Sequence, residues 1–213
     1  MVRKILLVCG ILFSLLLIGT DIFAAMSWEG YSYIDQSASE LSAIGAPTRP
    51  FVVPLYITDA VLGIAFGIGV LGSAGKKRAL RITGILMVIF GVVSVSNSLF
   101  FPMNLRGTEQ SFTGTMHLIF TGVNVLLMML FIGFGAAARG KGFRIYSMGT
   151  ILAMLVFGAL AGMQATRVGA GLTTPWLGVI ERVSYYSPYL WVLVFAIVLL
   201  RAQSTAPSTP YRD

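Results

Sequence analysis

Apolar positions along this chain gather into long runs instead of alternating with polar ones at helical or strand spacing. A run of about 20 apolar residues crosses a ~30 Å hydrocarbon layer as a helix. Six such spans are predicted, over residues 5–25, 51–73, 80–101, 112–136, 146–166 and 184–201. The connections between them are short, so residues 1–201 read as one all-α, polytopic six-helix membrane bundle. The final residues, AQSTAPSTPYRD, lack the apolar length to pack, and 202–213 reads as a flexible cytoplasmic tail.

Two polar stretches interrupt the pattern. In DQSASELSAIGAP, at 35–47, Ser37 is followed three residues later by Glu40, the spacing of a capping box. Leu41 and Ile44 give an apolar stripe, Gly45 suits the left-handed position that ends a turn, and Pro47 and Pro50 block continuation. The segment therefore reads as a short external helix after the first span, lying across the mouth of the bundle or serving as a solvated connector. Trp28, Tyr31 and Tyr33 just before it suit the membrane interface. The second stretch is TTPWLGVIERV, with Thr174 as a possible cap and Pro175 at a first helical position. Pro188 then either starts a new helix after Ser187 or kinks a longer one.

Composition narrows the class. Charged residues make up 11% of the chain, where water-soluble domains carry about 25%. The net charge of +7 is not accompanied by a basic face or a nucleic-acid-binding motif, so nucleic acid is not an expected partner. With the N-terminus inside, eleven basic residues are cytoplasmic (Arg3, Lys4, Lys76, Lys77, Arg78, Arg81, Arg139, Lys141, Arg144, Arg201, Arg212) and four external (Arg49, Arg106, Arg167, Arg182). That bias puts both termini in the cytoplasm of a multi-pass cell-membrane protein. The N-terminal segment has the basic start and small residues of a secretory signal. Its apolar length and the five spans that follow favour a retained helix. Cys9 is the only cysteine, which excludes an intrachain disulfide.

Ionisable groups inside membrane helices are costly unless paired, hydrated or turned inward, which makes each a candidate. Asp21 lies near the outer end of the first span, and Asp59 about eight residues into the second, ~12 Å from its start. The third span offers Ser94, Asn97 and Ser98, and the fourth carries Thr113, His117, Thr121 and Asn124 as a polar stripe. Gln164 lies near the outer end of the fifth, and Glu181, Tyr185 and Tyr186 approach from the loop or the start of the sixth. All six spans place polar groups toward one side of the bilayer. A polar pocket opening outward follows, with Asp59 and His117 near its floor and Asp21, Glu40, Asn97, Asn124, Glu181 and Tyr185 as further ligand-binding candidates. Each also has a packing role open to it: an interhelical hydrogen bond for Asp59, His117, Asn97 and Asn124, and a hydrated interface pair for Glu181 with Arg182. Gly63 and Gly67, and GALAG at 158–162, read as packing surfaces.

The catalytic alternatives are thin. A metal held at His117 with Asp59 is conceivable, but there is one histidine, no HExxH and no local ligand cluster, so no cofactor is expected. A serine–histidine–aspartate hydrolase lacks the G-x-S-x-G elbow, and neither a P-loop nor a dinucleotide fingerprint occurs.

The succession of TD at 20–21, DQSASELSAIGAP, TD at 58–59, SNSLFFPMN, TMH and PWLGVIERVSYYSPYLW resembles the family named domain of unknown function 998. The resemblance covers nearly the whole chain and implies a six-helix prokaryotic integral membrane protein with polar residues toward the external side. Ser39, Glu40, Leu41 and Gly45 correspond to the family's S-E-L-G-like loop signature, although Ser42 and Ala43 here separate Leu41 from Ile44 and Gly45. The family supplies no reaction. Two functional classes follow from the residues. One is a membrane protein that binds a lipid headgroup or a small polar or amphiphilic molecule, as a sensor, accessory subunit or transport component. The other is a small intramembrane enzyme, with His117 as base and Asp59 or Asp21 as its orienting acid or co-ligand.

Overall fold

The structure, a computed structural model, describes residues 1–204. The flexible-tail expectation therefore lies almost wholly outside the described residues. Among these the chain is helical throughout: α1 (Val2–Ser27), α2 (Arg49–Ser73), α3 (Arg78–Phe100), α4 (Phe112–Ala137), α5 (Lys141–Gly162), a short α6 (Ala165–Gly169) and α7 (Leu177–Ser204). A 3₁₀ turn, Ala38–Ser42, follows α1. All but α6 are long and apolar enough to cross a membrane.

Four spans lie within about three residues of their predicted bounds. The other two begin before their apolar runs do. The fifth span, expected over 146–166, starts at Lys141 behind an extended Gly140 and stops at Gly162. Lys141 and Arg144 are long enough to ride in the first turn with their charges toward the headgroups. The sixth starts at Leu177, so Glu181 and Arg182 are helical, and it runs uninterrupted through Pro188. Thr174 does not cap it; its hydroxyl donates to the Asp35 carbonyl at 2.6 Å. Trp176 breaks the backbone instead, with φ of 64°.

Around the bundle the spans run α4, α3, α2, α1, α7, α5, and the seam between α4 and α5 is sparse. Lipid tails are as apolar as leucine, so close packing holds such helices together. The tightest approach is between α2 and α3, where a Cβ on Gly67 would lie 2.9 Å from the Gly84 carbonyl oxygen. The central core is aromatic: Phe13, Phe66, Phe90, Phe131, Trp191 and Phe195 are all buried. The Trp191 indole N–H donates to Ser147 Oγ at 2.7 Å, removing the one polar liability of that stack.

The two ends of the bundle differ. One, the basic end, carries Lys76, Lys77, Arg78 and Arg139 in short turns. The other, the capped end, carries residues 28–48, the α3–α4 loop at 101–111 and the segment 163–176.

Candidate functional site

The capped end carries a roof of charged and polar residues, most of them partnered, and the cavity-lining Thr108, Gln110 and Gly169 in its loops are exposed. Its first hub is Arg182 on α7, only 3% exposed. Nε donates to Asp21 Oδ2 at 2.8 Å and Nη2 to Oδ1 at 3.2 Å. Nη1 donates to the carbonyls of Tyr33 and Gln36, and the guanidinium lies 3.7 Å from the centre of the Tyr33 ring. Nη2 also donates to the Tyr31 hydroxyl at 2.8 Å, which in turn donates to the Ser37 carbonyl at 2.7 Å. Burial pushes the Tyr31 phenol well above its ordinary range despite the neighbouring Arg182, so it remains a hydroxyl. Tyr186 donates to Asp21 as well. Asp21, fully buried, is thereby saturated. Arg182 is not the hydrated interface group the sequence suggests, and Glu181 does not pair with it. Glu181 instead accepts from the Ala38 backbone N–H at 3.0 Å and from Ser39 Oγ at 2.9 Å.

The second hub is Arg106 in the α3–α4 loop. It grips both oxygens of buried Glu40, at 2.7 and 3.0 Å, and donates to the Leu172 carbonyl at 2.8 Å. Glu40 also accepts from the Ser37 backbone N–H at 2.9 Å, as the predicted capping box requires. Burial alone would raise the Glu40 carboxyl, but Arg106, Ser37 and Gln36 outweigh it and hold it below its ordinary range. Backbone bonds complete the stitching: Ile44 N–H to the Met103 carbonyl and Gly107 N–H to the Val168 carbonyl. Gly45 takes the left-handed conformation expected of it, with φ of 87°.

Beneath this roof lies a cavity of about 420 Å³. That volume is within the usual range for small-molecule sites, ~300–1,000 Å³. All six spans line it. Of the eight residues singled out from the sequence, Asp59, Asn97, His117, Asn124, Glu181 and Tyr185 share this cavity. Asp21 and Glu40 do not line it; they belong to the roof.

The polar groups of the cavity are less completely partnered than those above it. Among the described residues four buried side-chain polar atoms lack a hydrogen-bond partner: Thr20 Oγ1, Asp59 Oδ1, Asn97 Oδ1 and Arg139 Nε. Two of the four, on Asp59 and Asn97, belong to cavity-lining residues. Asp59 is 4% exposed, and an unpaired carboxyl so placed is expensive. His117 Nδ1 sits 3.0 Å from the Phe101 carbonyl. A carbonyl can only accept, so Nδ1 carries the proton and Nε2 of the neutral ring is an acceptor. Ser94 Oγ donates to Asn124 Oδ1 at 3.4 Å. Val53, Phe90, Val125, Met128 and Met154 give the wall an apolar part. Among the described residues no group of three or more His, Cys, Asp or Glu comes together as a metal site would require.

Sequence reasoning missed the two arginine hubs, whose partners are far away in sequence. It also missed Tyr56 and Tyr189, which line the cavity. Tyr189 follows the candidate Tyr185 by one helical turn, a spacing that could have pointed to it. GALAG, read as a packing surface, contributes Gly158, Ala161 and Gly162 to the cavity wall.

Fold and cavity together define a multi-pass membrane protein with a roofed polar chamber in one half of its bundle. The chain belongs to the family described as protein of unknown function (DUF998), whose model matches residues 8–198. Comparison with curated proteins finds no match, and comparison with solved structures finds none.

Proposed function

We propose that this protein binds a lipid headgroup or a small polar molecule rich in hydrogen-bond donors, held in the cavity beneath the roof. With the basic end cytoplasmic, as the distribution of Lys and Arg favours, the chamber lies in the outer half of the cell membrane. The observation that carries the reading is Asp59: a buried carboxyl oxygen without a partner, in the wall of a chamber of ligand size. A polar group kept only for packing would be expected to have found its hydrogen bond. Sensing, an accessory role and transport all use such a site.

Native mass spectrometry of protein extracted with its own lipids tests the proposal. Asp59→Asn and His117→Ala should reduce the retained lipid or polar ligand while leaving membrane insertion and thermal stability close to wild type. Unchanged retention with a large loss of stability would instead assign both residues to packing. The second reading, an intramembrane hydrolase, draws on His117 and Asp59 lining the same cavity. Asp21 gives it no support, because its oxygens are engaged by Arg182 and Tyr186.

A further inference from the structure

We infer that the chamber is reached from the lipid, sideways between α4 and α5, by a single-chain amphiphile whose head carries hydrogen-bond donors such as an ammonium group or hydroxyls. This rests on the binding reading above and adds to it a route and a head chemistry.

The route follows from where the structure is tied and where it is not. On the water side the three loops of the capped end are joined to each other. Glu40 and Arg106 tie the first to the second, and Arg106 with Leu172, and Gly107 with Val168, tie the second to the third. Five of the six neighbouring pairs of spans pack extensively as well. The α4–α5 seam is the sparse one. Its edges are cavity-lining residues that are also exposed: Leu118 and Thr121 on α4, Gly162 and Ala165 on and just after α5. A Cβ on Gly162 would meet no atom within 4 Å, so this edge of the seam is open where its neighbour would have to close it. Small residues on one edge and a leucine and a threonine on the other leave a slot suited to an acyl chain. The apolar wall of Phe90, Val125, Met128 and Met154 continues inward from it.

The head chemistry follows from the sign of the unpartnered groups. Asp59 Oδ1 and Asn97 Oδ1 are acceptors without a donor, and the neutral His117 ring adds Nε2 as a third acceptor. Among the described residues the one Lys or Arg in the lining is Arg49, at the roof, ten residues and so ~15 Å of helix from Asp59. An anionic head placed beside Asp59 would therefore meet a carboxyl, with that guanidinium about three turns away. A head bearing N–H or O–H donors would satisfy what the chamber leaves unsatisfied.

Carbodiimide modification of Asp59, followed by peptide mass spectrometry on protein in phosphatidylcholine vesicles, tests both halves. The lipid-soluble dicyclohexylcarbodiimide, which concentrates in the hydrocarbon beside the seam, should modify Asp59 several-fold faster than a water-soluble carbodiimide. Gly162→Trp and, from the opposite edge, Thr121→Trp should each slow the lipid-soluble reagent several-fold without lowering the melting temperature. 1-O-Hexadecylglycerol, whose hydroxyls donate hydrogen bonds without capturing the activated carboxyl as an amine would, should protect Asp59, and hexadecyl sulfate should not. Equal rates with the two reagents, or no effect of either tryptophan, would overturn lateral access while leaving the binding proposal standing. Equal protection by the sulfate would overturn the donor-bearing head. If neither hexadecylglycerol nor soluble glycerol protects Asp59, the binding proposal fails and this inference fails with it.

Discussion

Asp21 and Asp59 are both aspartates, both preceded by threonine, and both buried in spans whose ends meet the capped end. Asp21 has a guanidinium against its two oxygens and a tyrosine hydroxyl besides; Asp59 has an oxygen with no partner. The first carboxylate ties α1 to α7, and the second lies in the wall of a chamber. In a membrane protein a buried charge therefore reports its role less by depth than by whether the protein itself supplies the partner. The roof and the chamber under it repeat this difference on a larger scale.

The contrast can be broken most forcefully at Arg182. Arg182→Met leaves Asp21 as an uncompensated buried charge and should cost ~3–5 kcal/mol, seen as a large fall in melting temperature in detergent. Adding Asp21→Asn to that variant should restore most of the loss. A single Arg182→Met variant as stable as wild type would mean that Asp21 is not held as described. Arg106→Ala, which removes a more exposed guanidinium and leaves Glu40 its Ser37 and Gln36 donors, should cost ~1–3 kcal/mol.

The same pair makes a pH prediction. Glu40 is held below its ordinary value of 4.5. Its contribution to stability is therefore full above that value and is lost as pH falls through the lower folded one. Melting temperature should decline on acidification below about pH 4.5, and Glu40→Gln should flatten that part of the curve. An unchanged slope in Glu40→Gln would place the acid sensitivity elsewhere.

A smaller effect is expected from Ser39→Ala, which removes one of the two donors to Glu181. About 1 kcal/mol should be lost, measured against wild type in the same detergent. Asp59→Asn should have the smallest effect on stability, within about 1 kcal/mol and on the stabilising side, because no protein contact to its Oδ1 is removed. Denaturation curves of the two aspartate variants side by side show the difference directly: Asp21→Asn destabilised, Asp59→Asn not.

The sequence exposes the six spans because a run of apolar length is a local property. The start of α7 was hidden because Glu181 and Arg182 read as a loop boundary, whereas each finds its partner in the segment 21–39. The gathering of Asp59, Asn97, His117 and Asn124 at one depth could be read from their offsets within the spans. What offsets do not contain is helix rotation or order around the bundle. Asp21 looked like Asp59 for that reason, and only the arrival of Arg182, 161 residues away in the chain, separates them. Glu40 was legible as a cap through its spacing from Ser37, but its grip by Arg106 was not.

An experimental density map of the protein in native lipids, at a resolution that shows side chains, tests the central claim most directly. The account predicts non-protein density in the chamber, with a donor within ~3.2 Å of the Asp59 carboxyl, while Asp21 remains clasped by Arg182. A collapsed chamber, with Asp59 hydrogen-bonded to a side chain of a neighbouring span, would contradict it.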